Sequence, residues 1–240
     1  MITAIPCVLV ADDDPVSLAF LAAAIKQIGC MTIAAATGNE ALSSFAARRP
    51  DLLLLDRCLP DMDAPALLAL LRGLGCSAPA IATSAELDAD TVAVLYAAGF
   101  LDTLPKPTTL EILHDLLHRY LGVRPISDSM AASGPAPHAI LDDTSALAAI
   151  GGDRVALRAL RELFAQELEA LERDFDDDST ATGSRLHRLR ASCGFCGASL
   201  LGNATAMLER ALRSGDASPP KLVQEFQQAC RATRQALAAD

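Results

Sequence analysis

The sequence contains no tryptophan, and aromatic residues fill only 4% of its 240 positions. With hydrophobic residues at 51%, its cores must be built from Leu, Ala, Ile and Val, and Ala and Leu at this density favour helix. No apolar run approaches the roughly 18 residues needed to span a bilayer, and "MITAIPCVLV" leads into acidic residues instead of a signal-peptide cleavage site. A soluble, cytoplasmic chain is expected. Basic residues are also scarce: 20 Lys and Arg stand against 30 Asp and Glu, a formal net charge of −10. So acidic a surface argues against a primary role on nucleic acid, where phosphate contacts dominate affinity. No G-x-G-x-x-G or G-x-x-x-x-G-K-[ST] segment follows the first predicted strand, which excludes the usual nucleotide-binding loops.

The seven cysteines (Cys7, Cys30, Cys58, Cys76, Cys193, Cys196 and Cys230) sit mostly inside apolar stretches and are odd in number. A disulfide framework is therefore not expected, and buried, reduced thiols are.

The length suits two domains of about 100–120 residues, each able to bury its own core. In the first half, "CVLVA" (7–11), "MTIAAA" (31–36), "DLLLLD" (51–56), "AIAT" (80–83) and "FLDTL" (100–104) read as strands separated by helical patterns. Five βα repeats imply a parallel sheet covered on both faces, because parallel strands need crossover helices. The last helix opens at "PTTLEIL", where Thr108 can cap and Glu111 can close a capping box. Residues 123–139, "VRPISDSMAASGPAPHA", lose all periodicity and read as a linker. From 140 onward there is no strand signal. Leu157, Leu160, Phe164, Leu168, Leu171 and Phe175 recur at three- and four-residue steps, and similar stripes follow in 184–197, 203–213 and 221–237. With breaks at "FDDDSTATG", near 197–202 and at "SGDASPP", the pattern predicts an antiparallel four-helix bundle at 140–240 with a short leading helix near 143–150. The charge divides unevenly: residues 1–122 carry 7 basic and 14 acidic side chains, and residues 140–240 carry 12 and 15.

In parallel α/β sheets, function gathers at the carboxyl ends of the strands. This sequence places Asp12 and Asp13 there after the first strand, Asp56 at the end of the third, Ser84 past the fourth and Lys106 after the fifth. Clustered carboxylates repel one another unless a cation joins them, and a hard ion such as Mg²⁺ suits oxygen ligands. A carboxylate can also attack phosphorus to give an aspartyl phosphate. Asp56 is best placed to attack, with Asp12 and Asp13 holding metal, Lys106 as counter-ion and Ser84 as hydroxyl donor. Helix caps and turn acids account for one or two of these positions but not for the set.

"VLVADDDP", "DLLLLDRCLPDMDAPAL", "IATSA" and "LPKP" resemble, in order and spacing, the four signatures of two-component receiver domains across residues 5–122. The resemblance implies a flavodoxin-like domain phosphorylated on Asp56, with Asp12, Asp13, Asp56 and the Cys58 backbone carbonyl as Mg²⁺ ligands and a cis Lys106–Pro107 bond. Ala85, small beside Ser84, fits the need for phosphoryl access. Thr103 stands where the family commonly has an aromatic residue whose rotation reports phosphorylation, and Ala64 stands where it usually has Gly.

In "LHRLRASCGFCGA" (186–198), helical spacing puts His187, Arg190, Ala191 and Gly194 on one face and turns Leu186, Leu189, Cys193 and Cys196 towards the core. Taken alone, His187 reads as an ordinary surface histidine; with Arg190 one turn away, it could also accept a phosphoryl group whose charge the guanidinium offsets. The stretch "LHRLRASCGFCGASLLGNATAMLERAL" resembles the signature of histidine phosphotransfer (HPt) domains. That resemblance makes His187 the accepting histidine, with Arg190 in the family's lysine position and Ala191 in its glycine position. His114, His118 and His138 lie away from any acidic cluster and are expected to be solvated. "CGFC" lacks the second ligand pair that a tetrahedral zinc site needs, so its cysteines are read as core-filling.

The sequence therefore predicts a receiver joined to a phosphotransfer domain, an intermediate in a phosphorelay. Its partners would be a sensor histidine kinase or that kinase's phosphotransfer domain, and the receiver of another response regulator. The alternative is a docking or adaptor module that binds such partners without transferring phosphate. A third reading makes the chain a phosphatase, with Glu86 or Cys58 tuning hydrolysis, and nothing in the sequence singles it out.

Overall fold

The computed structural model describes residues 5–85, 88–123, 140–174, 180–213 and 220–239; within these, the side chains at 174, 180–184, 187 and 213 lie outside the description. The chain forms two compact units, Met1–Ser129 and Met130–Asp240. The expected linker falls outside the described residues from position 124 onward.

In the first unit, β1 (Cys7–Ala11), β2 (Met31–Ala35), β3 (Leu52–Asp56), β4 (Ala80–Ser84) and β5 (Asp102–Pro105) alternate with α1 (Pro15–Gln27), α2 (Gly38–Ala47), α3 (Ala64–Gly73), α4 (Ala89–Ala97) and α5 (Leu110–Leu121). The strands pair in parallel in the order β2-β1-β3-β4-β5, a flavodoxin-like, doubly wound sheet. Every residue of β1, β3 and β4 is buried, as continuous apolar runs covered on both faces must be. Leu9, Leu53, Leu55, Phe45, Leu67, Leu68, Leu71, Leu95 and Phe100 form one core, while α1 packs with α5.

The helix starts follow side-chain chemistry. Asp14 accepts from the Val16 and Ser17 N–H groups, Thr37 from Glu40, Asp63 from Ala66 and Asp88 from Thr91, so each side chain satisfies donors that a helix start leaves open. At α5 the expectation needs correcting. Thr109, not Thr108, is the cap and accepts from the Ile112 N–H at 3.3 Å. Glu111 then occupies the second helical position, one short of the capping-box site, and Thr108 is buried with its hydroxyl unpartnered. The last strand also starts two residues later than its apolar run, because Phe100 turns into the core before Ile81 pairs with Asp102.

The second unit contains α6 (Asp143–Ala149), α7 (Arg154–Asp174), α8 (Thr180–Cys196), α9 (Ser199–Arg213) and α10 (Pro220–Ala239). Helix α7 packs on α8, α8 on α9, α9 on α10 and α10 back on α7, with α6 against α7 and α8. Leu157, Leu160, Phe164, Leu168 and Leu171 are buried as their spacing predicts, whereas Phe175 lies outside the described residues. Helix α8 begins at Thr180, earlier than periodicity indicates, and runs through Gly183, a residue whose entropic cost reads as a break. Gly197 ends it at φ +74, and a Cβ there would lie 2.3 Å from the Asp142 carbonyl oxygen, so the turn requires glycine. Among the described residues, no helix is long and apolar enough to cross a membrane.

Candidate phosphoryl site

The sheet brings four charged side chains to the carboxyl ends of its strands. Asp12 follows β1 and is fully buried; its Oδ1 accepts from the Asp14 N–H at 3.1 Å and its Oδ2 from the Ser17 hydroxyl at 2.6 Å. Asp56 ends β3, 5% exposed, and its Oδ1 accepts from the Cys58 N–H at 3.2 Å. Lys106 is drawn in by its own backbone N–H, which donates to the Ser84 carbonyl at 2.8 Å. Its Nζ lies 2.7 Å from Asp12 Oδ2 and donates to Asp56 Oδ2. Asp13 is half-buried, and one carboxylate oxygen each from Asp12, Asp13 and Asp56 lie within 4.8 Å of one another.

The electrostatics follow from this crowding. Burial pushes the Asp12 carboxyl above the usual carboxylate range; Lys106 opposes the rise and Asp56 adds to it. For Lys106, burial disfavours the ammonium, but the two carboxylates outweigh burial and hold it above the ordinary lysine range. The result is a lysine whose charged form is favoured by two flanking carboxyl groups, with a third beside them. Three oxygen donors at this separation match what a hard divalent ion takes.

Ser84 ends β4 fully buried, and Thr103 is half-buried on β5. The Lys106–Pro107 bond is cis. Cys58 is exposed in the loop after β3, where a buried thiol was expected; the other six cysteines are buried and all seven are free. His114 also departs from expectation: it is 6% exposed on α5, with Nδ1 3.7 Å from Asp115 Oδ1. Glu86 and His138 lie outside the described residues.

In the second unit, His187 lies on α8 and its side chain is outside the described residues. Leu186, Leu189, Cys193 and Cys196 are buried, as their spacing predicts. Ala191 does not share an open face with Arg190; it is 1% exposed, because α8 is flanked by α6, α7 and α9 and its buried arc is wide. Arg190 Nη1 pairs at 3.2 Å with Oε2 of Glu209, a nearly buried residue of α9. Sequence reasoning missed three groups: Ser17, which donates to Asp12; Glu209, which engages Arg190; and Asp61, whose carboxylate accepts from the Gly38 and Asn39 N–H groups. Each acts across a turn or between elements, which local spacing does not show.

Comparison with known proteins agrees with the first unit's geometry. The response regulator receiver domain family matches residues 8–118. The chain is 27% identical over 220 residues to the signal transduction histidine-protein kinase BarA of Escherichia coli K12, covering 87% of this chain and 24% of that protein. It is 25% identical over 230 residues to the sensor histidine kinase GacS of Pseudomonas protegens, covering 88% of this chain and 25% of that one. The chain thus spans about a quarter of the length of these kinases. Among solved structures, the chemotaxis response regulator CheY4 of Vibrio cholerae is 24% identical, covering 49% of this chain and 99% of its own, with a TM-score of 0.47. The family match and the acidic cluster fall on the same stretch of sequence: residues 8–118 are a response regulator receiver domain.

Proposed function

We propose that the chain is a cytoplasmic phosphorelay intermediate, a receiver at 1–122 linked through 123–139 to a histidine phosphotransfer domain at 140–240. The observation that carries this reading is the cluster of Asp12, Asp13, Asp56 and Lys106 at the carboxyl end of a receiver sheet. An Asp56 carboxylate oxygen attacks the phosphorus of a partner's phosphohistidine. The P–O bond forms as the P–N bond breaks, and the electron pair returns to the donor imidazole. Lys106 offsets charge on the phosphoryl oxygens and Ser84 donates its hydroxyl. Asp12, Asp13, Asp56 and the Cys58 carbonyl would hold Mg²⁺, which neutralises phosphoryl charge when bound.

His187 exchanges the phosphoryl group with a receiver aspartate, and Arg190 stands one helical turn away. Both kinase alignments cover far more of the chain than residues 8–118, which supports reading the second unit as part of the same signalling assembly. The donors and acceptors would be a sensor histidine kinase or its phosphotransfer domain and another response regulator. Incubation with a radiolabelled, phosphorylated receiver tests the second step: base-stable, acid-labile label is expected on the chain and should vanish in His187→Gln. The Arg190–Glu209 pair favours one further reading, a docking module without transfer, since a guanidinium held by a buried carboxylate has less charge to offer. Undiminished partner binding by His187→Gln, with no label on the wild type, would select it.

A further inference from the structure

Loop 57–63 carries the Cys58 N–H that holds Asp56, and it is anchored away from that contact. Asp61 Oδ1 accepts from the Gly38 N–H at 2.8 Å and its Oδ2 from the Asn39 N–H at 2.9 Å. These are the first two amides of α2, which helix geometry leaves without intrahelical partners and beside which a carboxylate is favoured. Thr37, the local cap, takes only the third, the Glu40 N–H at 3.1 Å. The next loop residue, Met62, lies so close to Gly38 that a Cβ there would sit 2.5 Å from its Sδ. The loop itself is closed: Leu59 N–H donates to the Met62 carbonyl at 3.2 Å, Ala64 N–H to the Arg57 carbonyl at 3.1 Å, and Cys58 bridges to Asp63. One end of this hairpin holds Asp56, and its tip is bound to α2.

We infer that Asp61 and Met62 are positioning residues for the phosphoryl site, an inference that rests on the acceptor role given to Asp56. By tying the loop tip to α2, they fix Cys58, whose N–H orients Asp56 and whose carbonyl is assigned to the ion. Asp61 is exposed, so water could satisfy the α2 amides in its place. What water could not supply is the covalent continuity from those amides to Cys58.

Mg²⁺ titration by calorimetry on the full chain, at a temperature where each variant is folded, tests this. Asp61→Ala is expected to weaken Mg²⁺ binding by about tenfold, the low end for groups that orient metal ligands, and to slow loading of Asp56 from a small acyl phosphate. Asp61→Asn, which keeps one acceptor oxygen, should fall between it and the wild type. Gly38→Ala, which places a methyl group against Met62, should weaken binding in the same direction. A lower unfolding temperature with wild-type Mg²⁺ affinity and loading would make the tether merely structural and overturn the inference. Failure of the wild type to bind Mg²⁺ would instead overturn the acceptor reading, and this inference with it.

Discussion

Lys106 stands between two buried carboxylates, and its removal is the most informative single change in the receiver. Without the ammonium, Asp12 and Asp56 face each other in a largely buried site. Breaking one partner out of a buried ionic cluster costs about 3–5 kcal/mol. Lys106→Ala should lose stability of that order at neutral pH, measured by urea unfolding. The sign with pH follows from Asp12, already raised by burial. An acid whose folded pKa lies above its unfolded value binds its proton more tightly when folded, so the penalty is present at high pH and relieved as pH falls through the folded pKa. The variant's deficit should be smaller at pH 5 than at pH 8, and an equal deficit at both would contradict this account. The charged residues of the site were legible in the sequence because each lies at or beside the end of a strand, where the run of apolar residues stops. Ser17 was not, because its role depends on a turn that brings position 17 back over position 12.

At the scale of elements, the structure makes its sharpest claim at the start of α5. Thr109→Ala should cost about 1 kcal/mol, the typical worth of an N-cap. Thr108→Val should be neutral or stabilising, because the hydroxyl it removes is buried and unpartnered. Chemical denaturation of both variants separates the two threonines, and the reverse order would restore the capping box read from sequence. Sequence reasoning located all five strands and the helices between them but placed this cap one residue early, since two adjacent threonines offer the same capping side chain. The caps of α2 and α4 also set a pH dependence. Backbone N–H groups hold Asp61 and Asp88 below the usual carboxylate range. A depressed pKa contributes stability above the unfolded value near 3.8 that is lost as pH falls through the folded value. Asp88→Asn should therefore flatten the acid side of the stability curve, measured by unfolding between about pH 5 and pH 2; an unchanged slope would mean that Asp88 is not linked to folding.

In the whole molecule each unit carries one proposed phosphoryl acceptor, Asp56 in the first and His187 in the second. The two-unit organisation was legible from the Pro-, Gly- and Ser-bearing stretch that follows α5 and from the change of periodicity after it. The surroundings of α8 were less so: helical spacing could not foresee that three helices flank it, nor that Glu209 on α9 would meet Arg190. The acceptor role proposed for Asp56 can be tested by chemical trapping. The full chain would be loaded with a small acyl phosphate and Mg²⁺, reduced with borohydride to convert any aspartyl phosphate to homoserine, and mapped by peptide mass spectrometry. Conversion at position 56 alone, absent without Mg²⁺ and absent in Asp56→Asn, is the predicted result. Conversion at another aspartate, or none anywhere in a folded, Mg²⁺-bound chain, would contradict it.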